Sequence, residues 1–256
     1  MAINDRLLRV IQIFNTYGAL TVLDVSIQAE VSRTAVYRII ETLCKSGYLR
    51  RVPGSSTFKL TWLVKTLSSG YRDESFVEEA GSVAITWLQE KVRWPTSLAT
   101  PERGYMLVKE STRFRSPFVF DTGGVGLKLP MFTSAMGLAW FAHAPQQTKE
   151  IILDINARRS DMLPPAQAQL QLIMKQGWAI RTGGIQPRTA SIAAPVFQDG
   201  VAVAAICITY STAAISQQRA IHSFVPILIE ASASISRAEP KVNRDRVFAP
   251  VAAVKQ

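Results

Sequence analysis

Two cysteines and two histidines are all that this 256-residue sequence offers to a disulfide framework or a transition metal. Cys44 and Cys207 are too few for a disulfide scaffold or a cysteine-only zinc site. His143 and His222 stand alone, which argues against a histidine-rich metal centre. No metal, no cofactor and no catalytic residue are therefore expected. No uninterrupted apolar run reaches the ~18 residues of a membrane-crossing helix. The stretch Met1 to Val10 carries Asp5, Arg6 and Arg9 inside a periodic apolar pattern, unlike a secretory leader. The expected compartment is the cytoplasm, with no membrane partner. The one glycine-rich stretch, Gly123-Gly124-Val125-Gly126, is not followed by Gly-Lys-Ser/Thr, so it is no phosphate loop and reads as a flexible loop. Gly-x-Ser-x-Gly is missing and neither histidine stands in a triad context, which leaves little for the alternative reading, a hydrolase acting on an aromatic ester. The aromatic signature of an RNA-binding module is missing too. Acid is scarce: 19 Asp+Glu face 29 Lys+Arg, a net charge of +10. That sign favours polyanions or anionic ligands.

What is present is globular. The apolar fraction is 48%, normal for a folded chain, and the length suits one large or two smaller domains. Ile3, Leu7, Val10, Ile11 and Phe14 recur at helical spacing, and Gly18 stops that helix. Thr21 is an N-cap for a short second helix. Ser32 caps a third, Arg33 to Lys45, whose apolar face is Ala35, Val36, Ile39, Ile40 and Leu43. Two short strands, Tyr48 to Val52 and Thr57 to Leu60, flank a Pro-Gly turn. Helix, short helix, turn, helix and hairpin within about 60 residues make a winged helix-turn-helix. Between Ser32 and Lys59 stand six basic residues and one acid, so charge and motif coincide.

Farther on, Trp62 to Tyr71 and Phe76 to Val92 read as helices, separated by Asp73-Glu74-Ser75. Ser97–Thr100, Tyr105–Glu110 and Phe118–Phe120 read as strands, and Asp121 to Leu129 as loop. Ser134 to Ala142, Pro145 to Ala157 and Ala166 to Gln176 read as helices. Trp178–Arg181, Ser191–Phe197 and Val201–Tyr210 are strands, followed by a helix from Arg219 to Ile235 interrupted at Pro226. Mixed helices and antiparallel hairpins indicate an α+β domain. The expected division is 1–61 for the DNA-binding domain, 62–75 for a linker helix, 76–239 for an effector-binding domain and 240–256 for a disordered tail.

The segment Val31-Ser32-Arg33-Thr34-Ala35-Val36-Tyr37-Arg38-Ile39-Ile40-Glu41-Thr42-Leu43, with Gly47-Tyr48-Leu49, resembles the recognition helix and wing entry of the IclR family of bacterial transcription regulators. Lys128-Leu129-Pro130-Met131 through Ser134-Ala135-Met136-Gly137 resembles that family's loop-to-helix signature. Gly177-Trp178-Ala179-Ile180, Ser191 to Phe197 and Ala204 to Ile208 resemble its last strands. Leu67 to Glu74, Trp94-Pro95-Thr96 and Arg113 to Trp140 look most like the subgroup that activates aromatic-acid catabolism, the 3-(3-hydroxyphenyl)propionate regulators among them. The resemblance implies a GAF-like effector domain and a homodimer or homotetramer. It also implies pocket positions at Phe118, Ala135, Met136, Arg181, Thr189, Ser191, Cys207 and Thr209. Two positions depart from the family pattern: Ala135 stands where glycine is common, and Arg181 where an acidic residue is common.

The residues themselves support two sites. Ser32, Arg33, Thr34, Tyr37 and Arg38 occupy the exposed N-terminal face of the third helix, the part that enters a major groove of double-stranded operator DNA. Arg33 and Arg38 suit a bidentate contact to guanine. In the wing, Arg51, Ser55, Ser56 and Lys59 suit phosphates or a minor groove. For a small aromatic carboxylate effector, Phe118, Phe120 and Met136 can enclose a ring, and Ser191 and Thr209 supply hydroxyls. Arg181, or the backbone N–H groups of the helix beginning at Ser134, can hold the carboxylate.

Overall fold

The computed structural model describes residues 3–68, 76–118, 124–157, 163–184 and 187–238. Phe120, the acidic break at 73–75 and the tail 240–256 lie outside them.

The N-terminal part is helical because its apolar residues repeat at helical spacing. α1 (Ile3–Tyr17), α2 (Val22–Ala29) and α3 (Arg33–Lys45) enclose a core of Val10, Phe14, Val25, Val36, Ile40 and Leu43. β1 (Leu49–Arg51) and β2 (Phe58–Leu60) pair antiparallel to form the wing, with Arg50 opposite Lys59. The predicted helix after the wing is a 3-10 helix, Trp62–Leu67, rather than an α-helix reaching Tyr71, and residues 69–71 are outside the described ones.

The rest is built on one six-stranded antiparallel sheet in the order β5-β4-β3-β8-β7-β6. Its strands are β3 (Thr96–Glu102), β4 (Tyr105–Ser111), β5 (Lys128–Pro130), β6 (Ala179–Thr182), β7 (Thr189–Gln198) and β8 (Val201–Ser211). Side chains alternate between the two faces of a strand, and both faces here are covered. Leu98, Ile192, Ile206, Ile208 and Tyr210 pack against α4 (Phe76–Val92) and α8 (Gln217–Ser236). Ala99, Met106, Ala179, Ala193, Ala205 and Cys207 face α5 (Ala135–His143), α6 (Gln146–Ala157) and α7 (Gln167–Gln176). Burial on both faces explains why β7 and β8 read as nearly continuous apolar runs.

Three expectations need correction. Lys128–Pro130 is a strand, paired with β4 at Tyr105, Met106 and Leu107, although it follows a glycine-rich run and reads as loop. Three edge residues carry too little alternation to announce themselves. Phe118 lies outside any strand; its ring stacks on Trp94 with centroids 4.4 Å apart. Pro226 does not interrupt α8, which continues for 20 residues. One ladder hydrogen bond is forgone there, and the buried row Ala220, Phe224, Leu228, Ala231 and Ile235 holds the helix to the sheet and α4 on both sides of the proline.

Two approaches fix positions near the sites. At Gly137 in the first turn of α5, a Cβ would lie 2.1 Å from the Met131 carbonyl oxygen, so only glycine lets the helix sit against the turn after β5. The N-terminal and sheet parts also touch: the Gly124 N–H donates to the Thr16 carbonyl at 3.1 Å.

Candidate functional site

On the N-terminal side, local capping places the exposed face of α3. The Thr21 backbone N–H donates to the Asp24 carboxylate at 2.9 Å, and the Asp24 N–H donates to the Thr21 hydroxyl at 3.2 Å. The Thr21 hydroxyl also donates to that carboxylate, at 2.7 Å, and this bond first, then the one from the Thr21 backbone N–H, holds the Asp24 carboxyl below its ordinary pKa. α2 ends at Glu30 in the left-handed region, φ 55°, a conformation that glycine adopts more easily. The Ser26 hydroxyl clamps the turn by donating to the Val31 carbonyl at 2.7 Å. Ser32 then caps α3, accepting the Ala35 N–H at 3.4 Å.

The consequence is a two-sided helix. Val36, Ile39, Ile40 and Leu43 are buried, whereas Ser32, Arg33, Thr34, Tyr37 and Arg38 are exposed. Among the described residues, Arg33 and Arg38 have no side-chain hydrogen bond or ion pair. In the wing, the Arg51 Nε donates to the Ser55 carbonyl at 3.1 Å, and the Ser55 hydroxyl meets Thr57 Oγ1 at 2.9 Å, so both shape the turn. Ser56 is exposed and Lys59 half-buried. The sequence reading missed Arg6 and Arg9. They line a depression of about 440 Å³ with Glu30, Val31 and Ser32, at the head of α3. Their signal was a pair of arginines three apart on one side of an apolar helix.

The second site lies at one end of the sheet face beneath α5. Arg181 on β6 is opposite Ser191 on β7, which is opposite Thr209 on β8. Alternation puts all three, with Thr189 and Cys207, on the same face. Arg181 donates through Nη2 to Thr189 Oγ1 and Ser191 Oγ, both at 3.0 Å, and through Nη1 to the Gly183 carbonyl. Ser191 Oγ and Thr209 Oγ1 are 2.9 Å apart. Four of the expected residues thus form one hydrogen-bonded cluster, and Cys207 lies beside it.

Burial sets the electrostatics. It pulls the pKa of Arg181 down, although a guanidinium remains a cation at any ordinary pH. It pushes the Cys207 thiol up to about 11, against smaller lowering by Thr209 and Arg181. Among the described residues no carboxylate lies within ion-pair distance of Arg181. A half-buried cation solvated only by carbonyls and hydroxyls is an arrangement suited to receiving an anion.

The other expected residues are less directly placed. Ala135 and Met136 are buried in the same apolar cluster as Cys207. Ser134 caps α5, its hydroxyl accepting the Gly137 N–H at 3.0 Å, which occupies one of the helix N-terminal donors. Phe118 stacks on Trp94 at the head of β3, next to Pro95, whose carbonyl accepts the Thr209 N–H at 2.9 Å. Trp94 packs with Leu98 and helices α4 and α8 on the opposite face of the sheet, so this stacking does not bring Phe118 to the Arg181 cluster. Phe120 lies outside the described residues. His143 Nδ1 is 2.9 Å from the Ala139 carbonyl, and His222 is exposed on α8. No group of three or more potential metal ligands occurs among the described residues, and no described helix is long and apolar enough to cross a membrane.

Comparison with known proteins agrees with this layout. Residues 5–53 match the IclR helix-turn-helix domain, and residues 118–237 match the C-terminal domain of IclR bacterial transcriptional regulators. The Pca regulon regulatory protein of Pseudomonas putida is 25% identical over 220 residues, covering 83% of this chain and 75% of that protein. A putative transcriptional regulator from Rhodococcus sp. RHA1 superposes with a TM-score of 0.63 at 22% identity, over 91% of this chain and 96% of that one. An IclR homologue from Microbacterium hydrocarbonoxydans, solved with 4-hydroxybenzoate, superposes with a TM-score of 0.60 at 24% identity, over 92% and 98% of the two chains. The two domain matches together cover most of the sequence, in the order that the fold displays, and the chain belongs to the IclR family of ligand-responsive, DNA-binding transcription regulators.

Proposed function

We propose that this regulator senses a small aromatic carboxylic acid through Arg181 and acts as a regulator of aromatic catabolism. The observation that carries the reading is the half-buried Arg181 guanidinium, held by Thr189 and Ser191 hydroxyls with no carboxylate in range among the described residues. A carboxylate offers the planar, bidentate partner that such a group lacks. Thr209, Cys207, Ala135 and Met136 supply the remaining walls, with the α5 N-terminus at Ser134 as the alternative anchor. The homologue from Microbacterium hydrocarbonoxydans was solved with 4-hydroxybenzoate, an aromatic acid, which supports the same class of ligand.

In this reading residues 1–61 bind operator DNA, 62–75 link, 76–239 hold the effector, 240–256 form a tail, and the protein works in the cytoplasm. Arg33, Thr34, Tyr37 and Arg38 read bases, Ser32 positions their helix, and Arg51, Ser55, Ser56 and Lys59 meet the backbone of the duplex. The chain works as a homodimer or homotetramer, as paired half-sites demand. Trp62, 73% exposed, and Leu67, 58% exposed, are apolar surface suited to a subunit contact.

A thermal-shift screen of aromatic and aliphatic carboxylic acids tests the effector. A ligand that binds only the folded state raises Tm. Aromatic acids should do so in parent protein and lose the effect in Arg181→Ala. A shift produced by aliphatic acids alone overturns the aromatic assignment.

A further inference from the structure

Arg6 and Arg9 stand three positions apart on α1, a spacing that makes them neighbours on one side of the helix. Like charges so placed repel each other. Both line the depression at the head of α3, together with Ala29, Glu30, Val31 and Ser32. Glu30 brings one acid to that lining, yet among the described residues neither arginine has an ion pair.

Their donors are largely uncommitted. Arg9 Nη2 donates to the Gln28 carbonyl at 3.4 Å, which ties that side chain to the C-terminal end of α2. Arg6 Nε is buried and has no hydrogen-bond partner among the described residues. A guanidinium carries five N–H donors, and one taken out of water without an acceptor costs free energy. An acceptor from outside the chain removes that cost, and an anion placed between the two arginines also relieves their repulsion.

The position of the depression identifies the anion. A helix with its side chains is about 10–12 Å across, and the major groove of DNA is about 12 Å wide. A helix head that enters the groove therefore fills it. The surface that flanks the head then meets the phosphates along the edge of the groove.

We propose that Arg6 and Arg9 form a DNA contact separate from α3 and the wing, and that they hold backbone phosphates of the operator beside the head of α3. This rests on α3 being the helix that enters the groove. A phosphate offers several oxygens to a fork of donors, so it can accept from the Arg6 Nε and still meet Arg9. Glu30 repels the same anion, and removing its charge should act in the opposite direction.

Titrations of the full chain at several salt concentrations, on operator and scrambled duplexes, test the contact. Arg6→Gln/Arg9→Gln should weaken both about equally, by about tenfold, and flatten the salt slope by about one to two. Arg6→Lys keeps the charge but not the fork, so it should keep the parent's slope and bind about two- to threefold more weakly. Glu30→Gln should tighten both duplexes. In a scan of neutral methylphosphonate linkages along the operator, at least one replacement should weaken the parent and leave the double variant unaffected. If a melting curve shows the double variant unfolded, Arg9→Gln alone replaces it, with a slope smaller by about one. A slope equal to the parent's, as a purely structural role would give, overturns the proposal, and so does a scan without such a linkage. Arg38→Ala reports on α3 separately: a loss there beside an unchanged slope in the α1 variants removes the α1 contact alone. If neither α1 nor α3 variants alter operator binding, both readings fall.

Discussion

Arginine is used in opposite ways at the two ends of this molecule. On α3, Arg33 and Arg38 project into solvent, and among the described residues neither has a side-chain partner. On β6, Arg181 is half-buried and bonded to two hydroxyls and to the Gly183 carbonyl. The first pair pays little for being charged and keeps its five donors per residue for whatever polyanion arrives. Arg181 has given up water, and its remaining affinity for an anion is focused by the low-dielectric surroundings. The solvated arginines find their contacts only when DNA arrives, whereas the geometry of the enclosed one is already set by the fold. Substitutions should separate the two ends cleanly, in stability as well as in binding.

The largest effect should come from the packed end. Gly137→Ala places a methyl group 2.1 Å from the Met131 carbonyl oxygen. A backbone shift is unavoidable, at a cost of about 3 kcal/mol or more, or a fall in Tm of roughly 10 °C. A differential-scanning measurement showing a shift below about 2 °C would mean that the turn at 131–134 yields more than its packing implies. No substitution of Arg33 or Arg38 should approach that loss.

Next is Arg181→Ala, which removes a charged hydrogen-bonding group worth ~1.5–3 kcal/mol to a bound carboxylate. The effector Kd should rise about tenfold or more. Arg181→Lys should restore only part, since an ammonium cannot form the planar fork. Calorimetry decides, and unchanged affinity in Arg181→Ala would move the anchor to the α5 N-terminus near Ser134. Operator affinity without effector should be the same in all three proteins.

Arg38→Ala should weaken operator binding by ~1–3 kcal/mol and random duplex less, because base contacts carry the sequence information. Lys59→Ala should weaken both about equally and reduce the salt slope by about one. Titrations at several salt concentrations separate the two roles. Equal losses on operator and scrambled DNA for Arg38→Ala would remove it from the base-reading set.

The smallest effect is a pH slope. Burial raises the Cys207 thiol to about 11 from 9.0. The folded state then holds a proton that the unfolded chain releases first. This contribution is fully present below pH 9.0 and is lost as pH rises toward 11. Cys207→Ala should flatten the stability curve in that window, as urea titrations at pH 8, 9.5 and 10.5 would record.

Much of the N-terminal part was legible because its signals are local. Thr21 and Ser32 announce helix starts, and Val36, Ile39, Ile40 and Leu43 announce a buried face, all within one or two turns. The Arg181 cluster was legible only in part. Alternation on one strand puts Arg181 with Ala179 and Ser191 with Ala193, but the pairing of β3 with β8 brings together residues about 110 positions apart, and no local pattern encodes that register. Ser97 was therefore invisible as the residue opposite Cys207. β5 was missed because three residues carry no period, and the continuity of α8 because packing along a 20-residue helix outweighs one proline. Arg6 and Arg9 reach the head of α3 only through the angle at which α1 crosses it.

Gly137 sets how far the space beneath α5 can change. A helix locked by backbone contact to the turn before it has no freedom to slide toward or away from the sheet. The distance between α5 and the Arg181 cluster behaves as a fixed frame, so a side-chain exchange beneath the helix changes the lining of the site and leaves the helix where it is.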